Sequence, residues 1–309
     1  MWYIIKDFLF QFDRFFFKPA DTSMCAVVRI GFGLVLLPYV FILGLDLEAF
    51  HGESGVLPFG VSRMLVDEDV LSPLGWVAAN DTALIFCYLF FFFQVLCLFI
   101  GFGSRFMAFG VFFWLIAFQH RNSLLIDGGD ILAHMIAFYL FCMPCGERFS
   151  MDAWMRKRRG KMPRELPIWG LRLLQVQMFL LYLSTSLLKY SGIAWRDGSA
   201  MVYIVQLNDV WGRFPLPEAL FGSVFFLKVM TITVLVLELL IPFGLVVKST
   251  RMFTVCTAMC FHLAIDYSMN LFLFQWIMIV GLLSFVSLEF PPLRWIRSWF
   301  PKNEEVPAQ

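Results

Sequence analysis

Apolar runs of up to about 20 residues, separated by short polar intervals, recur along this chain at the spacing of membrane-crossing helices. The pattern predicts spans near residues 24–45, 82–103, 105–120, 127–144, 168–190, 223–247, 250–267 and 271–289. The third and fourth are short. Residues 1–22 alternate charges (Lys6, Asp7, Asp13, Arg14, Lys18) with aromatics (Trp2, Tyr3, Phe8, Phe10, Phe12, Phe15) and hold no uninterrupted apolar core. That is the pattern of an amphipathic helix in the interface plane, and no cleavable signal is evident. The expected fold is therefore an all-α integral membrane protein. It comprises an interfacial helix over 1–22, an eight-helix bundle over 23–290, a cytoplasmic tail over 291–309 and no soluble domain.

Composition agrees: 60% of residues are hydrophobic, 15% are charged and 38 are Phe. Soluble domains sit near half apolar and a quarter charged. Net charge is only +1, so position says more than sum. The termini and the second, fourth and sixth loops hold 16 Lys or Arg, seven of them between Arg148 and Arg164. The opposite loops hold four, Arg63, Arg121, Arg196 and Arg213, with acidic companions Asp67, Glu68, Asp69, Asp209 and Glu218. Positive loops mark the cytoplasmic side, so both termini are expected inside.

The two sets of four spans look alike. At a constant offset of 143 residues Arg29 meets Arg172, Gly55 meets Gly198 and Arg105 meets Lys248. With four spans per unit, such a 4+4 repeat is parallel, its axis along the membrane normal. Arginines at cytoplasmic helix ends also arise from orientation alone.

Ionisable residues inside a membrane are candidates for function. At about 1.5 Å per residue, Asp130, His134, Lys189, Lys228, His262 and Asp266 fall near outer helix ends. Arg121 and Asn122 cap the third span on that side; Arg29 and Arg172 fall near the cytoplasm and Glu238 below the midplane. A site is expected to open outward. On the fifth span Gln175, Tyr182, Ser186 and Lys189 make one stripe, which should face protein or water. Asp130–His134 and His262–Asp266 are i, i+4, a spacing that can set a carboxylate beside an imidazole. The bland alternatives are polar glue between helices for the Asp–His pairs and snorkelling to the headgroups for Lys189; Lys228 and Arg213 are expected to snorkel.

Four His and no HExxH predict neither a metal centre nor a haem. Cys142-Met-Pro-Cys145 has CxxC spacing but sits at a cytoplasmic helix end, outside a βαβ context. No P-loop, GxSxG or dinucleotide fingerprint occurs, so no nucleotide or nucleic-acid ligand is expected, and GFG at 101–103 reads as an inner turn.

The run LLQVQMFLLYLSTSLLKYSGIAWRDGSAM resembles the lysine-bearing segment of vitamin K-dependent γ-carboxylases and of their bacterial relatives, the HTTM (horizontally transferred transmembrane) domain proteins. RNSLLIDGGDILAHMIAF, GERFSMDAW and FHLAIDYSMNLFLF extend the likeness over roughly 20–290. The resemblance implies that Lys189 acts as a general base on a quinol (hydroquinone) or other lipid-soluble substrate reached from the outer leaflet. His262, His134 and Asp130 would assist it, and Trp195, Tyr182, Arg121, Asn122 and Asp266 would line the site. It also implies a lyase-like or oxidoreductase-like chemistry in a bacterial inner or plasma membrane. The chain departs from the carboxylases in three ways. Lys189 follows Leu188 rather than a second lysine, with five residues before Trp195. No His stands at Gly129–Asp130, and only 291–309 follow the last span. Carboxylation of peptide glutamate by this chain alone is therefore not expected. The competing expectations are a non-catalytic binding or accessory protein serving a secreted peptide or a redox partner, and a small transporter, for which the repeat is the motive.

Overall fold

In the computed structural model the described residues are 2–64, 73–76, 80–207 and 212–287. The acidic Asp67, Glu68, Asp69 and Asp209, the last span beyond 287 and the 291–309 tail lie outside them. The described chain is helical apart from a two-residue antiparallel bridge, Pro19–Ala20 with Leu166–Pro167. It divides into two compact units, Met1–Leu174 and Gln175–Gln309.

The first unit begins with α1 (Trp2–Phe17), whose Trp2, Tyr3, Phe8 and Phe10 are all exposed. Arg172 lies over the Phe15 ring at 4.9 Å and ties down the end of α1. After the bridge come α2 (Ser23–Leu45), two short helices α3 (Leu47–His51) and α4 (Phe59–Met64), then α5 (Asp81–Ile100), α6 (Ser104–Arg121) and α7 (Gly128–Cys142). Helix α6 packs on α5 and α7, and α2 on α5. Phe32, Leu36, Phe91, Leu98, Leu115 and Ile136 form the buried seam.

Helix ends explain the boundaries. Asn80 caps α5 by accepting from Ala83 N at 3.1 Å. Gly101, at φ 81°, closes α5 in the left-handed conformation that favours glycine. Asp127 and Asp130 form a reciprocal capping box on α7. Helix α8 (Met151–Arg158) follows, capped by Ser150.

Helix α9 (Trp169–Ser191) begins in the first unit and continues into the second. There it leads to α10 (Ile193–Arg196), α11 (Ala200–Gln206), α12 (Glu218–Phe221), α13 (Val224–Val246), α14 (Arg251–Ser268) and α15 (Phe272–Leu283). Helix α14 packs on α13 and α15, and α11 on α13. Gly281 of α15 sits against Met178 of α9, a close approach that leaves no room for a Cβ.

Every predicted span corresponds to a helix, and most boundaries agree within about three residues. The largest difference is the last, where 271–289 shortens to Phe272–Leu283. Ser284 N turns back to Gly281 O and ends the helix. Among the described residues four helices, α2, α5, α9 and α13, are long and apolar enough to cross a membrane; α7 and α15 are apolar but shorter. The chain is therefore an all-helical membrane protein.

Candidate functional site

In the second unit the stripe on α9 faces protein. Tyr182 and Ser186 are buried, whereas Leu187, Leu188 and Tyr190 on the other faces are exposed. Gln175 donates to the Ser284 carbonyl at 2.6 Å. Lys189 does not end in solvent alone. Its Nζ makes a short ion pair with Oε1 of Glu238, in the interior of α13, with side-chain exposures of 29% and 9%. Trp195 of α10 completes the contact, its ring 5.2 Å from Nζ. Glu238 Oε2 is buried and has no hydrogen-bond partner among the described residues.

Two turns earlier on α9, Tyr182 Oη lies 2.6 Å from Nε2 of His262 on α14, and His262 Nδ1 lies 2.6 Å from Gln275 Oε1. The amide oxygen can only accept, so Nδ1 carries a proton and Nε2 of the neutral ring receives the tyrosine hydroxyl. Tyr182 and Lys189 stand on the same stripe of α9, so the two clusters share that helix.

The expected His262–Asp266 pairing does not form. Asp266 Oδ2 takes the Arg213 guanidinium at 2.6 Å, and Arg213 also donates to Asn270 at 3.1 Å. A guanidinium outcompetes a neutral imidazole for a carboxylate. Arg213, expected to snorkel, instead anchors the 212–216 segment to the end of α14. Lys228 is exposed, as expected, with its stem against Gly198.

The Asp130–His134 pairing is likewise replaced in the first unit. Asp130 is the third residue of α7, so its carboxylate turns back to Asp127 N at 3.0 Å while accepting Tyr39 Oη at 2.6 Å. His134 Nδ1 meets Gln119 Oε1 at 2.9 Å, and Gln119 Nε2 donates to the Asp130 carbonyl at 2.9 Å.

Arg121 and Asn122 hold the segment between α2 and α5. Arg121 is buried, donates to the carbonyls of Leu57 (2.9 Å) and Gly52 (3.0 Å), and lies over the Phe59 ring. Asn122 donates to the Phe50 carbonyl at 2.7 Å. His51, buried against Phe118 and near Arg121, is held at a pKa of about 4 by burial first and the neighbouring cation second.

At the other end of the first unit, Arg29 donates to the carbonyls of Leu98 (3.2 Å) and Phe149. Asp152 accepts from Gly103 N, Ser104 N and Ser104 Oγ at 2.8–2.9 Å, capping α6 from a distance. Buried Glu147 is paired with Arg156 and Arg164. Cys142 and Cys145 are buried free thiols, and among the described residues no group of three or more His, Cys, Asp or Glu is arranged to hold a metal.

Glu238, Gln275, Tyr39 and Gln119 are the participants that the sequence did not single out as site residues. The signal for Glu238 was present: it is the lone carboxylate in the apolar run 224–246.

No curated protein and no solved structure matches the chain. The HTTM domain family model matches residues 17–290. With nearly its whole length matched, and with the apolar helices that such a domain requires, the chain belongs to the HTTM domain family.

Proposed function

We propose that this protein is an enzyme or enzyme subunit that binds a quinol-like or other lipid-soluble substrate at Lys189, with Lys189 as the base for a substrate hydroxyl. The observation that carries this reading is the company of Lys189: an aromatic wall, Trp195, and a buried carboxylate, Glu238, on a different helix. A lysine that merely snorkels has no use for either. The bond to Glu238 fixes the amine in one place beside Trp195, where a substrate hydroxyl would meet it. His262, oriented by Gln275, holds Tyr182 on the α9 face that carries Lys189 two turns further on.

Around that site we read eight crossings with both termini cytoplasmic, α1 in the interface, an outward-facing pocket and a bacterial inner or plasma membrane. Helix lengths support a 4+4 repeat. Helices α2, α5, α6 and α7 have 23, 20, 18 and 15 residues, and α9, α13, α14 and α15 have 23, 23, 18 and 12. Tyr39 and Tyr182 stand at the 143-residue offset, as do Gln119 and His262.

The test is aerobic oxidation of durohydroquinone by the purified full chain in nanodiscs, followed by quinone absorbance. Lys189→Ala and Lys189→Arg should both lose turnover while remaining folded. Arginine stays protonated, so undiminished turnover in Lys189→Arg overturns the base role. A second reading, a non-catalytic accessory protein for a peptide or redox partner, is favoured by the first unit. There Asp130, His134, Arg121 and Asn122 are all engaged by the protein's own groups. That reading predicts no turnover in the wild type.

A further inference from the structure

Glu238 is a buried carboxylate in an apolar helix, and only half of it is used. Oε1 holds Lys189, while Oε2, equally enclosed, has no hydrogen-bond partner among the described residues. A buried carboxylate oxygen without a donor is costly, and stable proteins keep such an atom where a ligand or water completes it. Lys189 supplies a single positive charge and Glu238 cancels it, so the centre is electrically neutral before a ligand arrives. A carboxylate or phosphate entering it would face Oε2 without a spare cation. A hydroxyl or amide N–H would meet an acceptor already desolvated.

We propose that Glu238 is a specificity-determining residue: its Oε2 accepts the hydrogen bond of a neutral donor group on an amphiphilic ligand, and the neutralised pair excludes anionic ligands. Trp195, its ring on Lys189, supplies the flat apolar face beside the donor site. This deepens the reading of Lys189 as a substrate site and rests on it for the place of binding. It does not depend on the substrate being a quinol.

Four probes separate the two claims: durohydroquinone, its dimethyl ether, 4-octylphenol and 4-octylbenzoate. Binding of each to the full chain in nanodiscs is measured by quenching of tryptophan fluorescence or by calorimetry. In the wild type the hydroxyl probes should bind at least about tenfold more tightly than the ether and the benzoate, the size expected of a hydrogen bond to a charged acceptor. Glu238→Gln keeps an uncharged acceptor and should reduce that preference. Because a lone buried lysine can unfold the bundle, Lys189→Met/Glu238→Leu is the companion. It removes both charges together and should fold, and it should bind phenol and ether alike. A hydroxyl preference undiminished in Glu238→Gln, or one that survives in Lys189→Met/Glu238→Leu, overturns the assignment, as does equal binding of benzoate and phenol, or no binding at all, in the wild type. If 4-octylphenol shows the Glu238-dependent preference and durohydroquinone does not bind, Glu238 stands as the selector and the quinol-like reading falls.

Discussion

Two buried charges attract strongly where water is scarce, yet each must first be stripped of water. The net worth of their pair is therefore small, while the cost of orphaning one member is large. Lys189 and Glu238 are such a pair. Lys189→Ala should cost about 3 kcal/mol of stability in a detergent unfolding assay, somewhat less if the partly exposed lysine is already hydrated. Lys189→Met/Glu238→Leu should unfold within about 1 kcal/mol of the wild type; a loss equal to the sum of the two single losses would mean that the two charges do not act as a pair. His51 gives a second residue-scale prediction. Its folded pKa of about 4 lies below the ordinary 6.5, so the unfolded chain takes up a proton that the folded chain refuses. Stability is full above about pH 6.5, falls as pH drops toward about 4, and loses about 3 kcal/mol over that window. His51→Phe, which keeps the edge-on contact with Phe118, should flatten that part of the pH–stability curve. An unchanged slope would assign the acid sensitivity elsewhere. At this scale the stripe on α9 was legible because helical period alone puts Tyr182, Ser186 and Lys189 on one face. The partner of Lys189 was not. Depth counted along each helix from its own ends takes every helix as upright and in register, which set Glu238 well below Lys189. The Asp–His spacings misled for a related reason: i, i+4 allows a contact, and Tyr39, Gln119, Arg213 and Gln275 from other elements made better ones.

At the scale of elements, the order of the helices follows from where each can stop. Gly101 and Gly103, both at positive φ, turn the chain between α5 and α6 in three residues. The exposed amides at the start of α6 are then satisfied by Asp152, 48 residues downstream of Ser104. This one carboxylate joins the α5–α6 turn to α8, and the Asp152 N–H returns a bond to the Gly101 carbonyl at 3.0 Å. The stretch GERFSMDAW is therefore a structural clasp. Asp152→Ala should cost about 1–2 kcal/mol, the usual worth of a helix cap, and loosen protection of the α6 amides in hydrogen exchange. Loss of protection confined to α8 would place the clasp's role elsewhere. Gly101→Ala should be harsher, since its Cβ would meet both a left-handed backbone and the Arg29 guanidinium. The GFG turn was legible as a turn; that its first glycine makes room for a buried arginine was not, because Arg29 approaches from 72 residues earlier in the chain.

For the whole molecule the open question of architecture is which helices cross. The hydrocarbon layer is about 30 Å thick, and at about 1.5 Å per residue α7 and α15 reach only some 22 and 18 Å. They can cross only if flanking non-helical chain, buried within the protein, completes the path, as membrane cores tolerate where backbone groups are satisfied internally. Flanking groups of this kind are in place: Asn122 and Asp130 bond the chain at the start of α7, and Ser284 is buried at the end of α15. Labels on Ser54 and Arg159 do not separate eight crossings from four, because both schemes put 54 outside and 159 inside. The discriminating positions are the tips after α6 and α14. Leu124→Cys and Asn270→Cys, each in a background with exposed Cys256 and Cys260 replaced by serine, should react in intact cells with a membrane-impermeant maleimide as Ser54→Cys does. Arg159→Cys should react only after lysis. If 124 and 270 instead behave like 159, then α6, α7, α14 and α15 dip into the bundle from the cytoplasmic side and only the four long helices cross. The charges argue for the first outcome. Seven basic residues crowd 148–164, whereas Arg121 alone, its guanidinium bonded to backbone carbonyls, stands near 124.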